Sequence, residues 1–189
     1  TWTRDRPLLE ALLPCLRRAL GVYFDSPDCR WEDDVVAIVE PAHNGTSRGM
    51  AAAAYDCLPF GYKCALTNAE VYEALAAMAE LETMCGEGGR AREWAALGER
   101  LQAGYNTQFW DGAAGRYVGC IDVNGRRHDY GFTFVNIQAM AAGLSSTEQA
   151  RRIFDWMENQ PTATGACDTY LFAIGPRANT LDNQDWWYL

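Results

Sequence analysis

The chain has 189 residues, 49% of them apolar and 12% aromatic, enough for one domain with a real core and too apolar for a disordered chain. Its net charge of −9 excludes the Lys/Arg patches that nucleic acid and anionic lipid require; it suits a neutral or a cationic substrate. No apolar run approaches the ~20 residues that cross a bilayer, and Thr1 to Arg6 is followed by no signal-peptide core.

In chain order, residues 5–22 read as a helix with Leu8, Leu9, Leu12, Leu13, Leu16 and Leu20 as its apolar stripe. Pro7 suits the first turn and Gly21 the end, while Pro14 is an internal flaw that kinks or splits it. Residues 23–65 read as mostly irregular, with Val35 to Val39 a short strand or helical turn and His43-Asn44-Gly45-Thr46-Ser47-Arg48-Gly49 a polar loop. A helix over 67–85 follows, N-capped by Thr67 with Glu70 completing a capping box, and an amphipathic helix over 90–106 with Trp94, Leu97, Leu101 and Tyr105 inward. Residues 115–130 read as a β-hairpin about Asn124-Gly125 that delivers His128-Asp129-Tyr130 to an almost wholly apolar, hence buried, helix over 132–143. A capping box of Ser145 and Glu148 then opens an amphipathic helix to about Glu158. From Pro161 the chain reads as loop, ending on the aromatic Asp185-Trp186-Trp187-Tyr188-Leu189.

An apolar helix paired with an amphipathic one (67–85 with 90–106) occurs again about 60 residues later (132–143 with 146–158), the spacing of stacked helix pairs. An apolar helix must be covered on several sides and an amphipathic one on one side, so the alternation predicts an inner and an outer layer. The expected fold class is therefore all-α, an α/α toroid with a short β-hairpin near 116–130. The polar segments before each inner helix then fall at one end of the ring.

Those segments carry His43-Asn44-Gly45-Thr46-Ser47-Arg48-Gly49, Tyr55-Asp56-Cys57-Leu58-Pro59-Phe60-Gly61, Phe109-Trp110-Asp111, His128-Asp129-Tyr130-Gly131-Phe132-Thr133, Asp168-Thr169-Tyr170 and Gly175-Pro176-Arg177. In these the chain resembles the six-hairpin glycosidases, the (α/α)6-barrel enzymes that include α-L-rhamnosidases, trehalases and debranching glucosidases. The resemblance covers most of residues 25–189 and is more specific for the superfamily than for any member. It implies about half of an (α/α)6 barrel: residues 1–189 as a single partial toroid domain of catalytic type, a fragment of a longer chain. It also implies hydrolysis of a glycosidic bond, commonly by inversion.

Glycosidic bonds are cleaved between two carboxyl groups, ~6.5–9.5 Å apart in inverting enzymes. Asp129, at the mouth of the inner helix between His128 and Tyr130, and Asp56, beside Pro59-Phe60-Gly61, are the candidate catalytic pair. His43, Asn44, Arg48, Tyr55, Trp110, Asp122, His128, Tyr130, Asp168 and Arg177 are candidates for holding the sugar, with Trp186 and Trp187 as further aromatic surface. Arginine forks two hydroxyls or pins a carboxylate. Structural roles compete for the same residues: helix capping for Asp129, an Asx turn for Asp56, solvation for Asp122, loop-fixing ion pairs for Arg48 and Arg177. Which carboxyl is acid and which base stays open. No metal or other cofactor is expected, since His43 and His128 are the only histidines and lack ligand spacing.

The expected partner is a carbohydrate, with the missing half of the barrel or further copies of the chain completing the ring; nucleic acid and membrane are not expected. The alternative function is a non-catalytic sugar-binding or structural module on the same scaffold. A terpenoid or prenyl-group enzyme would need a metal-binding carboxylate cluster on one helix, which the sequence lacks. Seven cysteines, at 15, 29, 57, 64, 85, 120 and 167, with no Cys-x-x-Cys pair, read as free thiols of a reducing, cytoplasmic compartment. One or two disulfides, and a periplasmic or secreted location after loss of a signal, stay open.

Overall fold

The structure, a computed structural model, describes residues 5–39, 61–129 and 131–159. Helix α1 (Arg6–Asp25) is capped by Asp5, whose carboxylate accepts from the Leu8 amide at 3.0 Å. Pro14 lies inside α1 without dividing it. The leucine stripe does not face one way: Leu13 and Leu20 are buried, whereas Leu8, Leu12 and Leu16 are exposed.

Strands β1 (Cys29–Glu32) and β2 (Val35–Ile38) form an antiparallel hairpin, with Glu32 opposite Val35 and Cys29 opposite Ile38; β2 falls on the segment read as a short strand or helical turn, and β1 in the part expected to be irregular. Its two-residue turn, Asp33-Asp34, has φ of 53° and 58°. Two positive φ values are what a hairpin turn matching the strand twist needs, and aspartate tolerates them better than most residues. Strand β3 (Lys63–Cys64) leads into α2 (Ala65–Met84), which turns at Gly86 into its antiparallel partner α3 (Gly88–Phe109). The cap of α2 is Cys64, whose Sγ accepts from the Thr67 amide at 3.4 Å, and not Thr67 as expected.

The segment 110–128 holds two small pairings rather than one long hairpin. Strand β4 (Trp110–Asp111) pairs with β5 (Arg116–Tyr117), while β6 (Cys120–Ile121) pairs with β7 (Arg127–His128) across Asn124-Gly125. Helices α4 (Thr133–Ala141) and α5 (Thr147–Asn159) follow. The box that opens α5 is formed by Ser146 and Gln149, one residue later than expected: the Gln149 amide donates to Ser146 Oγ at 3.2 Å and the Ser146 amide to Gln149 Oε1 at 2.8 Å.

Helix α2 lies against α1, α3 and α4, and α5 lies against α4. The described helices are therefore of the all-α, α/α class, with α2 and α4 side by side and amphipathic partners outside them. The core between the layers is made by Leu75, Leu101, Tyr105, Phe109, Tyr117, Val135 and Ile153, each fully buried. Helix α4 is not covered all round: Ile137 is 44% exposed. Arg17 clamps α1 to α2, its guanidinium donating to both oxygens of the fully buried Glu82 at 2.7 and 2.6 Å.

One device occurs in both helix pairs. In the first turn of α2, Asn68 accepts from the Val36 amide (2.7 Å) and donates to the carbonyls of Val36 (2.9 Å) and Cys64 (2.9 Å). In the first turn of α4, Asn136 accepts from the Tyr117 amide (2.8 Å) and donates to the carbonyls of Tyr117 (3.3 Å) and Phe132 (2.9 Å). Each asparagine is wholly buried, is the fourth residue of its helix, and stands in for a missing strand neighbour. The repeat read from hydrophobic patterning thus extends to the way each preceding extended segment is fastened.

Candidate functional site

The polar connectors before α2 and α4 meet. Strand β3, at the end of the first, pairs with β6 of the second, Lys63 opposite Ile121 and Cys64 opposite Cys120, and the Ala65 amide donates to the Gly119 carbonyl at 3.0 Å. A three-stranded sheet, β3-β6-β7, therefore lies at the start of both α2 and α4.

His128 stands on β7, its Nε2 2.9 Å from Asp122 Oδ2. Asp122 is buried, and its Oδ1 also accepts from the Asn124 and Arg126 amides at 2.9 Å each. Burial pushes this carboxyl up, but the hydrogen bonds from His128 and the two amides outweigh it and hold it below the usual aspartate range. An ionised carboxylate only accepts, so Nε2 carries the proton in this pair. Asp122 thus closes the Asn124-Gly125 turn and orients His128, instead of being merely solvated.

Asp129 follows directly. Its carboxylate sits in an arginine fork, Arg116 Nε to Oδ1 at 3.1 Å and Nη2 to Oδ2 at 2.6 Å, and Oδ1 also accepts from the Gly131 amide at 3.0 Å. The guanidinium in turn lies 4.7 Å from the Trp156 ring centre. Asp129 does not cap α4, whose N-cap position, Phe132, carries no side-chain cap. It remains partly open, its side chain 26% exposed. A carboxylate held this way has both oxygens oriented.

Trp110 packs edge-on against Tyr117, ring centres 5.0 Å apart, and its carbonyl accepts from Arg127 at 2.8 Å. The structure thus brings Trp110, Asp122, His128 and Asp129 into the second connector. His43, Asn44, Arg48, Tyr55, Asp56, Tyr130, Asp168, Arg177, Trp186 and Trp187 lie outside the described residues.

Sequence reading missed a second polar group at the end of the first connector. Lys63, the chain's only lysine, is buried and donates to Asp33 Oδ2 at 2.6 Å, with Glu32 Oε1 at 3.0 Å; the Tyr62 hydroxyl donates to Glu32 Oε2 at 2.9 Å. Burial alone would lower the Lys63 ammonium, but Asp33 and Glu32 outweigh it and hold it above the ordinary lysine value. The available signal was the acidic run Glu32-Asp33-Asp34 combined with a solitary lysine. Arg116, the partner of Asp129, also went unread. Among the described residues no three histidine, cysteine or acidic side chains converge on a metal position, and no helix is long and apolar enough to cross a membrane.

No family model matches the chain, and no curated protein sequence is similar to it. Among solved structures it is similar to a GH78-family rhamnosidase of Bacillus sp. GL1, with a TM-score of 0.65 and 20% identity over 83% of this chain. The chain spans 15% of that chain's length. The likeness establishes a helical fold shared with a part of that chain.

Proposed function

We propose that the chain is a carbohydrate-active domain: a glycoside hydrolase, or a piece of one, cleaving a glycosidic bond between two carboxyl groups by inversion. The observation that carries the reading is the β3–β6 pairing, which joins two polar connectors at the start of α2 and α4 in a fold shared with a glycosidase. Asp129 is the first carboxylate. Held in the Arg116 fork with both oxygens accepting, it suits the base or a charge-stabilising role. Asp56 is its partner and the general acid. His128, oriented by Asp122, contacts sugar hydroxyls. The remainder of a ring, from further helices or a second copy, covers the exposed Leu8, Leu12 and Leu16 of α1.

A second reading is a sugar-binding module without turnover. It draws on the same ion pairs, because Asp122 and Asp129 are both engaged by neighbours and could serve structure alone. A panel of aryl glycosides, with rhamnosides first because of the neighbour's name, separates the two. Turnover that falls about 10²-fold or more in Asp129→Asn and in Asp56→Asn supports the hydrolase. Turnover kept by both variants contradicts the assignment, and sugar binding with no turnover favours the module.

A further inference from the structure

A cleft of about 370 Å³ opens between the end of the first connector and the β6–β7 turn, with Glu32, Asp33, Tyr62, Lys63, Gln108 and Arg127 in its wall. Neither Asp129 nor Arg116 lines it. The volume sits near the lower end of small-molecule pockets, ~300–1,000 Å³, and suits roughly one or two sugar rings rather than an extended polymer.

The wall carries three carboxylates, Glu32, Asp33 and Asp122, against Lys63 and Arg127, so it holds no net positive charge to draw in an anion, and Asp122 is already engaged by His128 and two amides. Lys63 has three N–H donors, and Asp33 and Glu32 take two of them. A phosphate or carboxylate ligand would meet an ammonium already neutralised by two carboxylates. A metal cation would have to displace that ammonium from both. The wall does offer donors and acceptors in alternation: ammonium, guanidinium and amide N–H beside carboxylate, phenol and amide oxygens. A vicinal diol presents the complementary alternation, because each hydroxyl both donates and accepts. The wall is also fixed in place. Tyr62 is held at φ 63°, with its carbonyl accepting from the Ile38 amide at 2.9 Å and its hydroxyl bonded to Glu32. Preset polar groups of this kind cost less to order around a ligand.

We propose that this cleft is a binding site for a neutral sugar bearing vicinal hydroxyls, separate from the Asp129–Arg116 carboxylate. The site stands on its own hydrogen-bonding chemistry and requires no bond cleavage.

The solitary lysine gives a direct test. Protein grown on 13C-lysine shows one side-chain Hε–Cε cross-peak, that of Lys63, which needs no assignment. The whole chain is titrated in turn with L-rhamnose, D-glucose and D-mannose, and then with inorganic phosphate and calcium chloride at matched ionic strength. The expected result is a saturable shift with at least one sugar and none with phosphate or calcium. Gln108→Ala, which removes a polar side chain from the cleft wall, weakens that sugar about tenfold, the scale of one lost hydrogen bond to a ligand. Asp33→Asn keeps the turn, since asparagine accepts positive φ; it also weakens the sugar, and it opens a response to phosphate by leaving Lys63 under-neutralised. No saturable shift with any of the three sugars overturns the proposal. So does a shift with phosphate or calcium in the unaltered chain, or a sugar midpoint unmoved in both variants. A lysine response that survives in Asp129→Asn while turnover is lost separates this site from the catalytic reading, and turnover without a lysine response rejects the cleft alone.

Discussion

Asn68 and Asn136 carry much of the geometry at the rim, each replacing a strand neighbour for one buried residue. Removing the Asn136 side chain strands the Tyr117 amide and carbonyl where water cannot easily reach, while the Phe132 carbonyl keeps only its longer bond from the Asn136 backbone amide, 3.4 Å. Asn136→Ala should therefore cost about 2–4 kcal/mol in denaturant unfolding, with Asn136→Asp no better because a carboxylate cannot donate to the Tyr117 and Phe132 carbonyls. An unchanged midpoint would show that the clamp is dispensable. Asp122 makes a pH prediction. Its carboxyl is held below the usual range, so its contribution is present above the unfolded-state value of about 4 and is lost as pH falls through the lower folded value. Thermal unfolding should show the wild-type midpoint dropping in that acid window and Asp122→Asn starting lower with a shallower drop; parallel curves would contradict the assignment. These residues were legible only in part. Asp122 and His128 drew notice singly, as candidates for holding the sugar, and not as partners of one another. The asparagines did not, because their partners lie 32 and 19 positions away and nothing local marks the contact.

At the scale of elements, the periodic helices were legible and their ends were not. Thr67 has the residue type of a cap, yet β3 ends at Cys64 and the helix begins at once, three residues earlier than a Thr67 cap implies. The β1–β2 hairpin was invisible because its turn is Asp33-Asp34 rather than an asparagine–glycine pair, and because its fastening is remote. Arg100 donates to Asp34 Oδ1 at 3.1 and 2.6 Å, and the Trp31 indole at 3.2 Å. Gly104 of α3 completes that fastening: a Cβ there would stand 2.3 Å from the Asp34 carbonyl oxygen and 2.7 Å from its carbon. Backbone cannot yield as a side-chain tip can. Gly104→Ala should push the hairpin off α3 and destabilise the protein by about 1–3 kcal/mol or more, with loss of protection at the Val35 and Val36 amides. A variant as stable as the parent, with the hairpin still protected, would show that this close approach is not required.

For the whole molecule, alternation of apolar and amphipathic helices was enough to place two polar connectors at one rim, because period and burial are linked by geometry. It was not enough to say which side chains share a cavity. That depends on pairings such as β3 with β6 and on the fork between Arg116 and Asp129, both set by tertiary contacts between segments far apart in sequence. The exposed leucines of α1 were misread for the same reason: a stripe tells that a face is apolar, not what covers it. The claim on which the functional reading stands is that sugar engages both connectors together. Hydrogen–deuterium exchange of the intact chain, with and without a saturating sugar chosen from the aryl glycoside panel, tests it most directly. The account predicts added protection in peptides spanning 61–68 and 119–136 together, with α5 unchanged. Protection confined to one connector, or found only on helices away from the rim, would contradict it.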